Sequence, residues 1–158
     1  MSTAGQSLLE SNNFLALEPH LVSLVRNAVA GISPVVHVLT AADLTDVKES
    51  AQRTPAVHLI YGGYQVVEDQ KTAWRLAHTW YAVVVVKHVG AQRTGAAARA
   101  AAGPLLALVL GALAGASLPG ATRPLEWITP PRPEFRAGVQ YLPSAFTAET
   151  IFRKPQPL

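Results

Sequence analysis

The chain has 158 residues, with 13 lysines and arginines against 10 aspartates and glutamates, no cysteine, a formal charge of +3 and a pI near 9.5. That length fits one domain with a real core, and the missing cysteines exclude disulfides and thiolate metal sites. Only 15% of the residues are charged, against roughly 25% in typical soluble domains, so burial in an oligomer or assembly is expected, and basic residues spread without a run of like charges do not make the patch of a dedicated nucleic-acid binder.

The start, MSTAGQSLLESNNFLALE, lacks the basic residues and apolar stretch of a secretion signal. Ser7 to Gly31 reads as a helical region, with Pro19 in the first turn, Leu21, Val22, Leu24, Val25, Ala28 and Val29 at helical spacing, and Gly31 as the stop. Val35 to Thr40 is a short β-branched strand, and Ala41 to Arg53 a polar surface connection with one short helical turn.

Pro55 to Tyr61 is the next strand, interrupted at Gly62 and Gly63 by a bulge before Tyr64 to Val67. Glu68 to Thr72 turns the chain into Trp74 to His88, the longest run of strand formers. Trp74, Leu76, His78 and Trp80 alternate with Arg75, Ala77, Thr79 and Tyr81, as a half-exposed strand requires, whereas Ala82 to Val86 is apolar on both faces. The two strands form a large antiparallel hairpin. Its inner end anchors the sheet; its outer end, Trp74 to Tyr81 with Tyr64 to Thr72 across from it, projects as a contact arm.

Gly90 to Gly95 is a connector, with Thr94 as N-cap of an apolar helix from Ala96 to Ala116. The stretch from Ala100 to Thr122 has 23 residues without a charge, long enough to span a membrane. Its glycines and prolines leave only PLLALVLGALAG strongly apolar, the length of a buried core helix, so no membrane span is expected. Pro124 to Thr129 is a strand and Pro130 to Glu134 a stiff loop. Phe135 to Leu142 and Ala145 to Arg153 are two further strands broken by Pro143, and the tail 154–158 is expected to be a flexible tail, disordered or a short extended arm.

Catalytic arrangements are not visible. There is no G-x-S-x-G, HExxH or phosphate loop. The five histidines lack ligand spacing, and the pattern leaves room for a spatial pair across the hairpin, such as His58 with His78. No catalytic, cofactor or metal residue is assigned. Tyr64, Trp74, Arg75, Trp80, Tyr81, Trp127 and Arg132 are instead the aromatic and arginine types that concentrate at protein interfaces, and are taken as candidate interface residues.

This layout, together with PAVHLIYGGYQVVEDQ, TWYAVVVVKH and the helix that follows, resembles the tail terminator, or tail completion, proteins of long-tailed bacteriophages, including the Mu-like type. The resemblance covers about Phe14 to Arg153 and no catalytic motif enters it. It implies a small α+β subunit in a single domain, 1–158: a mixed, mainly antiparallel sheet with a long β-hairpin tipped by 68–72, packed on one face by an N-terminal helix and a central apolar helix. The implied function is non-enzymatic: a homohexameric ring in the virion, at the head-tail junction, that caps the tail tube and gives the head-side connector a docking surface. The implied partners are the chain itself, the tail tube protein, the connector or neck protein, the sheath where the tail is contractile, and DNA only in passage. A head completion or neck protein is the alternative within the virion, and a small α+β ligand-binding domain or enzyme the alternative outside it.

Overall fold

The computed structural model describes residues 12–45, 52–87 and 96–155, with 96–100 as backbone alone. The first helix, α1 (Glu18–Val29), has proline in its first turn, where a missing N–H costs nothing, and carries Glu18 and Arg26 at the dipole ends that favour them. Leu21, Val25 and Val29 recur every four residues and form its buried stripe. Strand β1 (His37–Thr40) runs directly into α2 (Ala41–Leu44), the expected helical turn. A capping box fixes that junction: Thr40 N donates to Asp43 Oδ2 at 2.8 Å and the Thr40 hydroxyl to the same oxygen at 3.1 Å. These bonds from the Thr40 backbone and side chain hold the Asp43 carboxyl below its ordinary range.

Strands β2 (Ala56–Asp69) and β3 (Ala73–Lys87) are the expected hairpin, with register shifts between Tyr61 and Tyr64 and between Val66 and Glu68. Helix α3 (Ala96–Leu113) is followed by β4 (Glu126–Ile128), β5 (Glu134–Arg136) and β6 (Val139–Arg153). The connector 90–95 and its Thr94 cap lie outside the described residues, as does His88. The six strands form one sheet in the order β1-β2-β3-β6-β4, with β5 also on β6; β1 and β2 are parallel and every other pair antiparallel. The chain is therefore α+β with a mixed, mainly antiparallel sheet, as the sequence implies.

Two expectations are corrected. The arm is not two-stranded, because β6 pairs with β3 along its whole length, from Ala73 opposite Arg153 to Lys87 opposite Val139. Nor does Pro143 divide the C-terminal strands. The division falls earlier, at Ala137 and Gly138, whose φ values of +51° and +77° make a tight two-residue turn between Arg136 and Val139. Strand β6 then continues through Pro143, because β5 covers only its residues 139–141 and β4 only 145–147. At 142–144 one side of β6 is open, and a proline is tolerated where a strand is locally an edge.

The alternation of β3 decides which face is covered. Leu76, His78, Trp80, Ala82 and Val84 are buried and meet Val57, Leu59, Phe146 and Ala148 from the strands on either side. Over this face lie α1 and α3, the latter through Ala102, Leu105, Val109 and Leu113. The far end of α3 is pinned by strand-like bonds, Gly115 N donating to Leu125 O at 2.9 Å and Leu125 N to Ala116 O at 2.8 Å. Gly103, Ala107, Leu108 and Gly111 form its exposed side. Among the described residues no helix is long and apolar enough to cross a membrane.

Candidate assembly surfaces

The outer end of the hairpin is where the sheet leaves its helical cover. Strand β1 pairs with β2 only opposite Ala56–Leu59, so from Ile60 onward the outer edge of β2 has no strand partner among the described residues. Residues 64–69 are all exposed, and three of them are large and apolar: Tyr64 (52%), Val66 (58%) and Val67 (44%). On the helix side, the Phe14 ring meets Tyr64 edge-on with centroids 4.9 Å apart, and it also touches His78 and Phe152. Trp74 is half-buried beside Phe152 at 6.0 Å.

Arg75, on the opposite face, is committed within its own subunit. Its Nη2 lies 2.8 Å from Glu68 Oε2, and its Nε lies 3.4 Å from Glu149 Oε1, an ion pair by distance whose angle falls short of a hydrogen bond. Arg123 is more loosely held, 4.0 Å from Glu149, with its side chain 63% exposed.

The three tryptophans separate. Trp80 is 1% exposed and sits in the core beside Tyr61, at 5.0 Å between centroids; it presents nothing to a partner, and its buried Nε1 has no acceptor among the described residues. Trp127 is 58% exposed on β4, the opposite edge of the sheet from β2. Tyr81 and Arg132 both line a groove of about 390 Å³ on the face opposite α1 and α3, with Ile60, Val83 and Pro143 and with Leu44 from the end of α2. The structure thus leaves Tyr64, Trp127 and Arg132 at the surface, Trp74, Arg75 and Tyr81 partly so, and Trp80 inside.

The histidine pair does not form. His58 stands opposite Val83 and lines that groove, whereas His78 stands on the helix side opposite Tyr64. His78 Nδ1 is 2.7 Å from the Tyr61 hydroxyl and its Nε2 is 2.7 Å from Thr150 Oγ1. A neutral ring satisfies both by donating one bond and accepting the other. Burial lowers the pKa of both histidines and raises that of Tyr61, which the neighbouring Tyr64 raises further. With His78 only 2% exposed, the three side chains fasten the core together. Among the described residues no three His, Asp or Glu side chains gather to hold a metal.

Val66 and Val67 lie within the expected arm but are not among the candidate interface residues, and both are exposed. Their run of β-branched residues marks a strand, but only the shortness of β1 leaves that strand uncovered. Ile32, Val35 and Leu108 are a second exposed apolar group, beside a cleft of about 490 Å³ between the end of α1 and α3.

The chain matches the family described as phage tail terminator protein over residues 10–157, without assignment to the Mu-like type. Among solved structures it is similar to a chain of the "Virion of native gene transfer agent (GTA) particle", at 21% identity and a TM-score of 0.46 over 94% of this chain and 98% of that one. No curated protein matches.

Proposed function

This chain belongs to the phage tail terminator family, a family of structural virion proteins of the tail, and we propose that it assembles into a closed ring of six that caps the tail tube. The ring halts tube polymerisation on one face and offers the head-side connector a docking surface on the other. Its action is steric, with no turnover. DNA passes through the lumen, and the sheath is a further neighbour where the tail is contractile.

The observation that carries this reading is the pair of unfinished edges on one sheet. The open edge of β2 carries Tyr64, Val66 and Val67, and the opposite edge, on β4, carries Trp127. A subunit with two different adhesive sides associates head to tail, and such a contact closes into a ring when its rotation divides the circle. The low charged fraction of 15% fits a subunit that hides two flanks and at least one axial face. Arg132 and Trp74 serve the same contacts, and Tyr81 lies at the groove behind them.

The test is tube growth in vitro. Purified tail tube protein polymerises in the presence or absence of this chain, and tube lengths and ends are recorded by electron microscopy. Shorter tubes with a ring on one end support termination. Tubes that grow unchanged and bare, although the chain itself forms rings, overturn the capping step and favour a neck position.

A further inference from the structure

Resting on the ring reading, we propose how its subunits join: the outer edge of β2 around Tyr64, at 63–65, pairs antiparallel with the outer edge of β4, at Glu126–Ile128, of the next copy, so that one sheet runs on into the next.

Strand direction is the first argument. Each step from β2 to β3 to β6 to β4 reverses the chain, so β4 runs opposite to β2 within one subunit. A neighbour in the same orientation, as a ring supplies, therefore brings its β4 antiparallel to this β2 without being turned over. Height agrees. Tyr64 lies level with His78 of β3, and Trp127 lies level with Phe146 of β6, which is itself opposite Trp80. Tyr64 and Trp127 thus stand two residues apart along β3, a small stagger of the kind that closing a ring of strands requires.

The side-chain faces fix the register. Tyr64 and Val66 lie on the helix side of the sheet, opposite His78 and Leu76, and Trp127 lies on the same side, opposite Phe146. Placing Trp127 opposite Tyr64 gathers the exposed aromatic and apolar side chains on one face, the arrangement in which cross-strand pairs stabilise a sheet. A slip of one residue sends Trp127 to the other face. In the same register Gln65 stands opposite Glu126 and the pairing ends there, because Leu125 already exchanges backbone bonds with Gly115 and Ala116, while the loosely held Arg123 side chain lies toward the end of β2 that carries Glu68 and Asp69. In the parallel direction Glu68 and Asp69 would stand opposite Pro131 and Arg132, so charge does not choose between the two directions and the strand order does.

The contact also accounts for an edge that a free monomer would not keep. Exposed β-branched and aromatic residues on an unpaired strand template aggregation unless something covers them, and here a copy of the same chain does so.

The native chain has no cysteine, which makes cross-linking clean. Gln65→Cys and Glu126→Cys are made singly and together, both at exposed positions, and each is oxidised or treated with a short bis-maleimide. Light scattering reports assembly of the unmodified chain, and circular dichroism the fold of each variant. The double variant is expected to give a covalent ladder ending at the closed ring, with more than half of the protein cross-linked. A mixture of the two single variants gives dimers only, and neither single variant cross-links alone. If the chain forms rings but the double variant, still folded, gives no ladder, the rings use another surface and this contact is wrong while the ring reading stands. If the unmodified chain stays monomeric at all concentrations, the ring reading falls and takes the contact with it.

Discussion

Trp80 and Trp127 are alike in the sequence, each in a strand and each followed by a strand former, yet they should respond oppositely to truncation. A tryptophan side chain offers about 200 Å² to bury, which at about 25 cal/mol per Å² amounts to about 5 kcal/mol. Trp80, at 1% exposure in the core beside Tyr61, has nearly all of that to lose. Its Nε1 makes no hydrogen bond, so the loss is one of packing, and Trp80→Ala should cost about 3–5 kcal/mol. With about 2–4 °C per kcal/mol for a domain of this size, the melting temperature should fall by about 6–20 °C. Trp127 is 58% exposed; burying the remaining roughly 80 Å² sets an upper bound of about 2 kcal/mol for Trp127→Ala. Its effect should appear in assembly instead. Urea unfolding at concentrations where neither variant assembles gives the first pair of numbers, and light scattering at higher concentration the second. Equal destabilisation by the two substitutions would refute the burial argument, and a Trp127→Ala chain that assembles like the original would remove Trp127 from the interface.

Three further outcomes follow from the packing of the sheet. The fold holds His58 and His78 with lowered pKa values, whereas the unfolded chain titrates them near 6.5, so below that pH the unfolded state binds more protons. Their contribution to stability is therefore fully present above about pH 7.5, falls as pH drops through 6.5 toward the lowered folded values, and levels off beneath them. Melting temperatures at pH 8 and pH 5.5 should differ less in His58→Leu than in the native chain, and at pH 8 that variant should be no less stable, since it removes a buried Nε2 without a partner. Gly62→Ala should cost about 1–3 kcal/mol by overpacking, because the new Cβ would stand 2.5 Å from Tyr81 Cε2 and 3.3 Å from Thr79 O; most of that cost should vanish in a Tyr81→Ala background, as a double-mutant cycle in urea would report. Replacing the tip Glu68 to Thr72 with a two-residue turn should leave the melting temperature within a few degrees, since the exposed Glu68–Arg75 pair it removes is worth about 1 kcal/mol or less, and should damage assembly; a chain that unfolds instead would make the tip part of the subunit's own core.

Much of the fold is legible where the signal is local. The stripe of α1, the bulge at Gly62 and Gly63 and the long alternating strand β3 are patterns of neighbouring residues, and each stands where the spacing places it. What is lost is non-local. That β6 borders β3 throughout depends on a partner some seventy residues away in the chain, so the arm reads as two-stranded from the hairpin alone. Pro143 reads as a break because nothing in its neighbourhood reveals that the adjoining edge strands leave a gap beside it. The turn at Ala137 and Gly138 offered only a single glycine as a cue, since alanine rarely takes a positive φ. The candidate surface is legible by residue type but not by side: Trp80 and Trp127 differ only in what packs on them, and Arg75 looks free until Glu68 and Glu149 are brought to it by the strands on either side.

The most direct measurement of the assembly is the mass of the purified chain in solution, by light scattering across a wide concentration range. With subunits of 16.8 kDa, the account predicts one closed species of about 100 kDa whose mass does not grow with concentration. A monomer at every concentration, or a species that lengthens without limit, would contradict it.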